Sequence, residues 1–198
     1  PPHVEALAAL DALLDTRTPV RRIVWQGRPA WAKRRLPLRT HERVLLSFAP
    51  LLRRWLGRGM PFAPASYAPD LPIEVQRLRA LRKQGWHVPE VLAAEREVFV
   101  MTPVGETLAS QLDMQDDSAL RSAWLCEAAR DLAAFHAAGL WHGAAQIHNV
   151  VRSEEGRLGR IDFETSLDMH LPLALLQAFD AALLLTSVAR TRDRDALP

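Results

Sequence analysis

Among the scarce residue types of this chain of 198 residues, two are informative. Cysteine occurs once, at Cys126, and lysine only at Lys33 and Lys83, although Lys and Arg together number 25. A single cysteine excludes an internal disulfide framework and points to a reducing compartment. It also denies the histidines a thiolate neighbour. His142 and His148 lie close in sequence, but no cysteine or third nearby histidine completes a zinc set. The formal charge is only +2, too little for a bulk nucleic-acid footprint, and the arginines come without an aromatic platform for bases. No secretory signal is recognisable at the start. Long hydrophobic runs are scarce too. The one from Leu171 to Ala189 approaches membrane-spanning length, but Gln177 and Asp180 interrupt it, so a buried core helix is expected there. There are no internal repeats and no low-complexity segments.

What is present suffices for a folded domain. Hydrophobic residues make up 48% of the chain, and its length suits one large domain or two small lobes. Val4 to Leu14 has a helical pattern, closed by Asp15-Thr16-Arg17-Thr18-Pro19. Arg22 to Gln26 and Ala30 to Arg34 read as strands around the turn Gly27-Arg28-Pro29, which places Lys33 in the second strand. His41 to Gly57 puts Val44, Leu45, Phe48, Leu51, Leu52, Trp55 and Leu56 on one helical stripe with Arg43, Arg53 and Arg54 largely elsewhere. Such a basic amphipathic helix packs on its own domain or lies on an anionic membrane surface. Gly59 to Leu71, rich in proline, is a linker.

Leu71 to Gln84 is the next helix, with Pro72 in its first turn. Glu74, Leu78 and Leu81 recur on one stripe, and an acid on a buried side needs a cationic partner. Glu97 to Met101 is a buried strand leading into Thr102 to Leu108. Leu120, Trp124, Ala128, Leu132 and Phe135 space a long helix, with Asp116, Asp117 and Ser118 as capping candidates. Near the end, Pro172 opens the apolar helix that holds Asp180, a carboxylate that must find donors among Leu and Ala.

The chain is organised around His142-Gly143-Ala144-Ala145-Gln146-Ile147-His148-Asn149, followed by Ile161-Asp162-Phe163-Glu164. Between them, Val150-Val151 and Leu158 to Ile161 read as strands turned by Ser153-Glu154-Glu155-Gly156. A polar loop and a hairpin with an acid at its exit can bring an amide oxygen and a carboxylate together. Those hard oxygen donors suit Mg²⁺. This pattern resembles the catalytic loop and metal-binding Asp of the protein-kinase-like superfamily. The likeness is to its small atypical branch: Bud32, the RIO kinases and the bacterial lipopolysaccharide-core (Kdo) kinases, some of which carry Asp-Phe-Glu at the metal site. The resemblance spans residues 20 to 190, and Gly85-Trp86-His87-Val88-Pro89-Glu90-Val91 resembles the link after the first helix of these kinases.

The resemblance implies an α/β (α+β), two-lobed kinase-like fold. Residues 1–101 would form a small N-terminal sheet lobe and residues 102–198 a reduced helical C-terminal lobe. Lys33 would hold the nucleotide phosphates and Glu74 would hold Lys33. The backbone around Met101 and Pro103 would receive adenine at the hinge. Asn149 and Asp162 would bind Mg²⁺, His142 would buttress the loop, and Asp180 would anchor its backbone amides. ATP and Mg²⁺ are thus the expected cofactors. Two departures stand out. No G-x-G-x-x-G loop precedes Lys33, and Ala144 occupies the position of the catalytic Asp. Gln146, His148 and Glu164 are the polar candidates near that vacancy. The implied function is a phosphotransferase acting on a sugar hydroxyl of lipopolysaccharide or another envelope glycolipid. The alternative is a pseudokinase that scaffolds a protein partner. Either would be cytoplasmic, and the 41–57 helix would allow peripheral contact at the inner membrane face.

Overall fold

The computed structural model describes residues 19–35, 71–164 and 172–193. The expected helices at 4–14 and 41–57 and the proline-rich linker lie outside the described residues. The chain divides into two compact units. Among the described residues one takes in 19–35, 71–80, 90–103 and Glu164 with Pro172, and the other 81–89, 104–163 and 173–193. The passage at Pro103 to Val104 falls two residues past the expected boundary after 101. Residues 81–89 join the second unit rather than the first.

The first unit is built on a four-stranded antiparallel sheet of order β1-β2-β4-β3, with β1 Val20–Trp25, β2 Arg28–Arg34, β3 Val91–Ala94 and β4 Val98–Met101. The first hairpin turns one residue earlier than expected. Trp25 pairs with Arg28, so Gln26 and Gly27 form the two-residue loop, with φ of 51° and 76°. Paired positive φ values match the right-handed twist of the strands, and glycine supplies one of them without steric cost. Pro29 therefore sits inside β2. The pair after the hairpin's closing pair is not hydrogen-bonded, so its missing N–H falls on the side of β4. That strand's pairing with β2 begins only at Trp31. Trp25, Ala30, Ala32, Val98 and Val100 form the core on one face of this sheet. Strand alternation turns Lys33 to the opposite face.

Helix α1, Leu71–Lys83, buries Leu71, Glu74, Val75, Leu78 and Leu81, a stripe of helical spacing that includes the acid. It ends at Gly85, whose φ is 86°. The Gly85 N–H donates to Arg82 O (3.0 Å) and the Trp86 N–H to Leu81 O (3.1 Å), the Schellman pattern that satisfies the last carbonyls.

The second unit carries a three-stranded sheet, β5 Glu106–Thr107, β6 Val150–Arg152 and β7 Leu158–Arg160. Two helices precede the loop that begins at His142: α2 Leu108–Asp113, capped by the Thr107 hydroxyl, and α3 Ser118–Ala137, capped by Asp117. The core joins Leu108, Leu112, Ala128, Leu132, Ala145, Ile147, Val150 and Leu184. The upper end of the expected α3 stripe is less buried than its pattern implied, with Leu120 39% exposed.

Helix α4, Leu173–Asp193, departs from expectation. It buries Leu176, Asp180 and Leu184 fully and packs Val188 partly against the core, while Leu173, Leu175, Phe179 and Leu185 are exposed. By length and composition its span Leu173–Thr191, of mean hydropathy 1.4, could cross a membrane. Apolar composition all round does not state which face has a neighbour. Among the described residues full burial is confined to a stripe of i, i+4, i+8 spacing, with Gln177, Ser187 and Val188 half-buried beside it.

Candidate functional site

In the second unit the loop after α3 is held from below by a single carboxylate. Asp180 is fully buried and accepts hydrogen bonds from the backbone N–H of His142 and of Gly143 (2.7 Å to the latter), with His136 Nε2 at 3.2 Å. Backbone amides cannot move independently of the chain, so this anchoring fixes the loop's path. Gln177, one turn earlier on α4, donates to His136 O (2.9 Å) and Leu140 O (3.0 Å). The two polar residues that interrupt the apolar helix thus both serve the approach to the loop.

The His142 ring is equally fixed. Its Nδ1 accepts from the Ala144 N–H (3.1 Å), so Nε2 carries the proton and donates to Ile161 O (3.0 Å). With both nitrogens committed, His142 has neither a lone pair nor a proton left for a reaction. Phe163, fully buried, packs 4.3 Å from its ring centre. The imidazole therefore ties the loop to the segment that carries Asp162, the buttressing role expected for it.

Asn149 is buried at the end of a 3₁₀ turn, Ile147–Asn149. Its Nδ2 donates to Ala144 O (2.9 Å), which orients the amide and leaves Oδ1 facing the other way as an acceptor. Its own carbonyl accepts from the Ile161 N–H (3.0 Å), so the residue just before Asp162 is pinned to Asn149. Asp162 itself has φ of 70°, a left-handed conformation that Asp tolerates better than most side chains. An oriented amide oxygen and a carboxylate, both hard oxygen donors, are a chemical fit for Mg²⁺. Of the residues near the base position, Ala144 is half-buried and offers no side-chain polar atom. Gln146 is half-buried and His148 is exposed.

The first unit holds a buried lysine. Lys33 is 8% exposed, and its Nζ lies 2.8 Å from Glu74 Oε2, as α1's polar position in an apolar stripe implied. A second carboxylate, Glu164 Oε2, stands 3.1 Å from the same Nζ. Glu164 thus faces Lys33, a pairing that sequence reasoning missed. Its position two residues past Asp162 gave no signal for it. Met101 ends β4, paired with Trp31 and Val91. Beyond it the Thr102 N–H donates to Glu90 O and the Thr102 hydroxyl accepts from the Glu90 N–H, both at 2.9 Å. Pro103 is exposed and can offer an adenine only its carbonyl.

A further ion pair, its arginine buried, also escaped sequence reasoning. Arg160, 3% exposed, donates to Asp131 Oδ2 of α3 and lies over the Phe135 ring at 5.6 Å. Burial pulls its guanidinium below the ordinary value, and Asp131, then Asp180, oppose that shift. The Arg160 N–H in turn donates to His87 O (3.1 Å), and any side chain at Gly159 would collide with His87. The β6–β7 hairpin, which delivers Asp162, is therefore clamped to the Gly85-to-Pro89 link and to α3.

Comparison with known proteins finds a matching family and matching folds. A family model described as the RIO domain matches residues 72–178. Among solved structures, the Rio2 kinase–ADP/Mg²⁺–phosphoaspartate complex from Chaetomium thermophilum matches with a TM-score of 0.52 and 18% identity. That match covers 91% of this chain and 57% of the other. The Rv3197–erythromycin complex from Mycobacterium tuberculosis matches with a TM-score of 0.51 and 19% identity, over 96% of this chain and 63% of the other. The chain thus spans about three fifths of the length of these structures. No curated protein matches.

Proposed function

The chain belongs to the RIO-domain family, within the protein-kinase-like superfamily, and from that premise we propose that it is an ATP- and Mg²⁺-dependent phosphotransferase domain. The observation that carries this reading is the oriented amide of Asn149, turned by its bond to Ala144 O, with Ile161, the residue before Asp162, bonded to the Asn149 carbonyl. The presence of ADP and Mg²⁺ in the Rio2 structure supports it.

Phosphoryl transfer asks the protein mainly for positioning and charge neutralisation. Lys33 supplies a buried ammonium for phosphate oxygens, and Glu74 keeps it charged and aimed. Asn149 Oδ1 and the Asp162 carboxylate would hold Mg²⁺, which when bound neutralises charge on the phosphates. Asp180 and His142 do not touch substrate in this scheme. They keep the loop and the Asp162 segment in register.

The position of the usual proton acceptor is taken by Ala144, and general-base help is worth about 10²–10⁴ in rate. The reading is therefore a slow phosphotransferase, its acceptor a sugar hydroxyl on an envelope glycolipid at the inner membrane face. The basic amphipathic pattern of residues 41–57 supports that choice. The second reading, a pseudokinase scaffold, is favoured by the same Ala144 and by the absent glycine-rich loop.

The test is ADP binding with and without Mg²⁺ by thermal shift, for wild type and Asp162→Asn. Mg²⁺-ADP at a hundredfold excess over Kd should stabilise the wild type by about 2.7 kcal/mol, and Asp162→Asn by much less. Equal shifts would refute the metal assignment. ATP consumption then separates the two readings. Ala144→Asp should raise a slow phosphotransferase's turnover by orders of magnitude, whereas a scaffold stays near zero.

A further inference from the structure

Lys33 carries one positive charge between two carboxylates, and the two are not equivalent. Glu74 Oε2, 2.8 Å from Nζ, belongs to a side chain only 1% exposed, on the packed stripe of α1. Glu164 Oε2, 3.1 Å from Nζ, belongs to a side chain 27% exposed, in a stretch outside helix and strand. Glu74 is fixed where it stands. Glu164 can turn to water by rotating its own side chain, at little cost in packing.

A phosphate approaching Lys33 therefore meets a carboxylate already on the same ammonium. Two anions on one cation disfavour each other, and the partly buried setting screens them less than water would. We propose that Glu164 is a built-in competitor for phosphate at Lys33, which makes nucleotide binding conditional on a divalent cation. In the resting protein Glu164 occupies the ammonium. A nucleoside diphosphate arriving without metal has to displace it while keeping its own full charge. The same nucleotide arriving with Mg²⁺ carries less negative charge, and Glu164 yields. This inference rests on the nucleotide reading above and assigns Glu164 a positioning role that acts through Lys33.

The consequence is a coupling between metal and nucleotide that Glu164 enlarges. Coupling of this kind is reciprocal, so nucleotide should also tighten metal binding more in the wild type than in a variant lacking the charge.

The experiment uses the full chain and Glu164→Gln, which keeps the shape and removes the charge. Calorimetry with ADP in EDTA should show the variant binding about tenfold tighter than wild type, a difference of about 1.4 kcal/mol. Added Mg²⁺ should then improve the variant's affinity less than the wild type's. A metal-free affinity that is unchanged or weaker in the variant overturns the proposal.

A second arm needs no nucleotide. Lys33 and Lys83 are the only lysines and Lys83 is exposed, so it serves as an internal reference. Acylation by a small amine-reactive ester, read by mass spectrometry, should give a Lys33-to-Lys83 ratio several-fold higher in Glu164→Gln. An unchanged ratio shows that Glu164 does not hold Lys33 and overturns the competitor while leaving nucleotide binding intact. A raised ratio with no ADP binding by either protein overturns the nucleotide reading itself, and the competitor role with it.

Discussion

Lys33 in the first unit and Asp180 in the second are both buried charges, and they are satisfied in opposite ways. Lys33 is held by two side-chain carboxylates. Asp180 is held by two backbone amides and a histidine nitrogen. A side chain can rotate, so the partners of Lys33 can be exchanged for another anion. An amide moves only with its chain, so the two amide partners of Asp180 cannot be exchanged. The first arrangement suits a group that must receive a ligand. The second suits a group whose task is to keep a loop from moving. Burial alone, which the two residues share, does not distinguish these roles; the chemistry of the partners does.

The comparison breaks most visibly at Asp180. Asp180→Ala leaves the N–H groups of His142 and Gly143 buried without acceptors, at about 1–3 kcal/mol each, so a loss of about 3 kcal/mol or more is expected. Denaturant titration measures it, and faster hydrogen exchange at His142 and Gly143 should accompany it. A neutral Asp180→Ala would mean the loop does not depend on that carboxylate.

Lys33 should behave differently. Lys33→Met takes the ammonium away from Glu74, but a carboxylate can take up a proton, whereas an orphaned amide has no such escape. A loss of about 2 kcal/mol is expected, and adding Glu74→Gln should recover most of it, because replacing a buried ion pair by neutral groups is often without net cost. Nucleotide binding should not recover in the double variant. No second substitution can rescue the two amides orphaned by Asp180→Ala in this way, since they are backbone. If the double variant is no more stable than Lys33→Met, the pair is not interchangeable and the contrast fails.

Much of this was legible in the sequence, for a physical reason. A charge inside an apolar periodic stripe has to be satisfied, and both Glu74 and Asp180 announced themselves that way. Lys33 stood out because lysine is rare and the hairpin around it was readable. The spacing of His142, Asn149 and Asp162 gave the loop. What stayed hidden depended on which distant groups meet. The Glu164 contact with Lys33 spans 131 positions along the chain, and Arg160 with Asp131 joins a hairpin to a helix. Neither has a local pattern. The covered face of α4 was hidden for the opposite reason: a helix apolar all round carries no stripe to read. The hairpin turn was misplaced by one residue because Pro29 is a common turn signal, yet here its missing N–H falls where no partner strand begins.

The smallest expected effect isolates burial from bonding. Asp117 repeats the chemistry of Asp180 in water: its Oδ1 accepts from the N–H groups of Ala119 (2.8 Å) and Leu120 (3.2 Å) at the start of α3, and the residue is exposed. Asp117→Ala should cost about 1 kcal/mol, the usual value of a helix cap, because water replaces the lost acceptor. Asp117→Asn should be nearly neutral, since asparagine caps as well as aspartate. Asp180→Asn should not be neutral, because its new NH₂ would face a buried N–H donor with no water to take it up. Both pairs of variants are measured by the same denaturant titration. Were Asp117→Ala to cost as much as Asp180→Ala, the number of amides held would set the penalty and burial would not. The fixed loop would then owe its rigidity to hydrogen-bond count, and the contrast with Lys33 would rest on partner mobility alone.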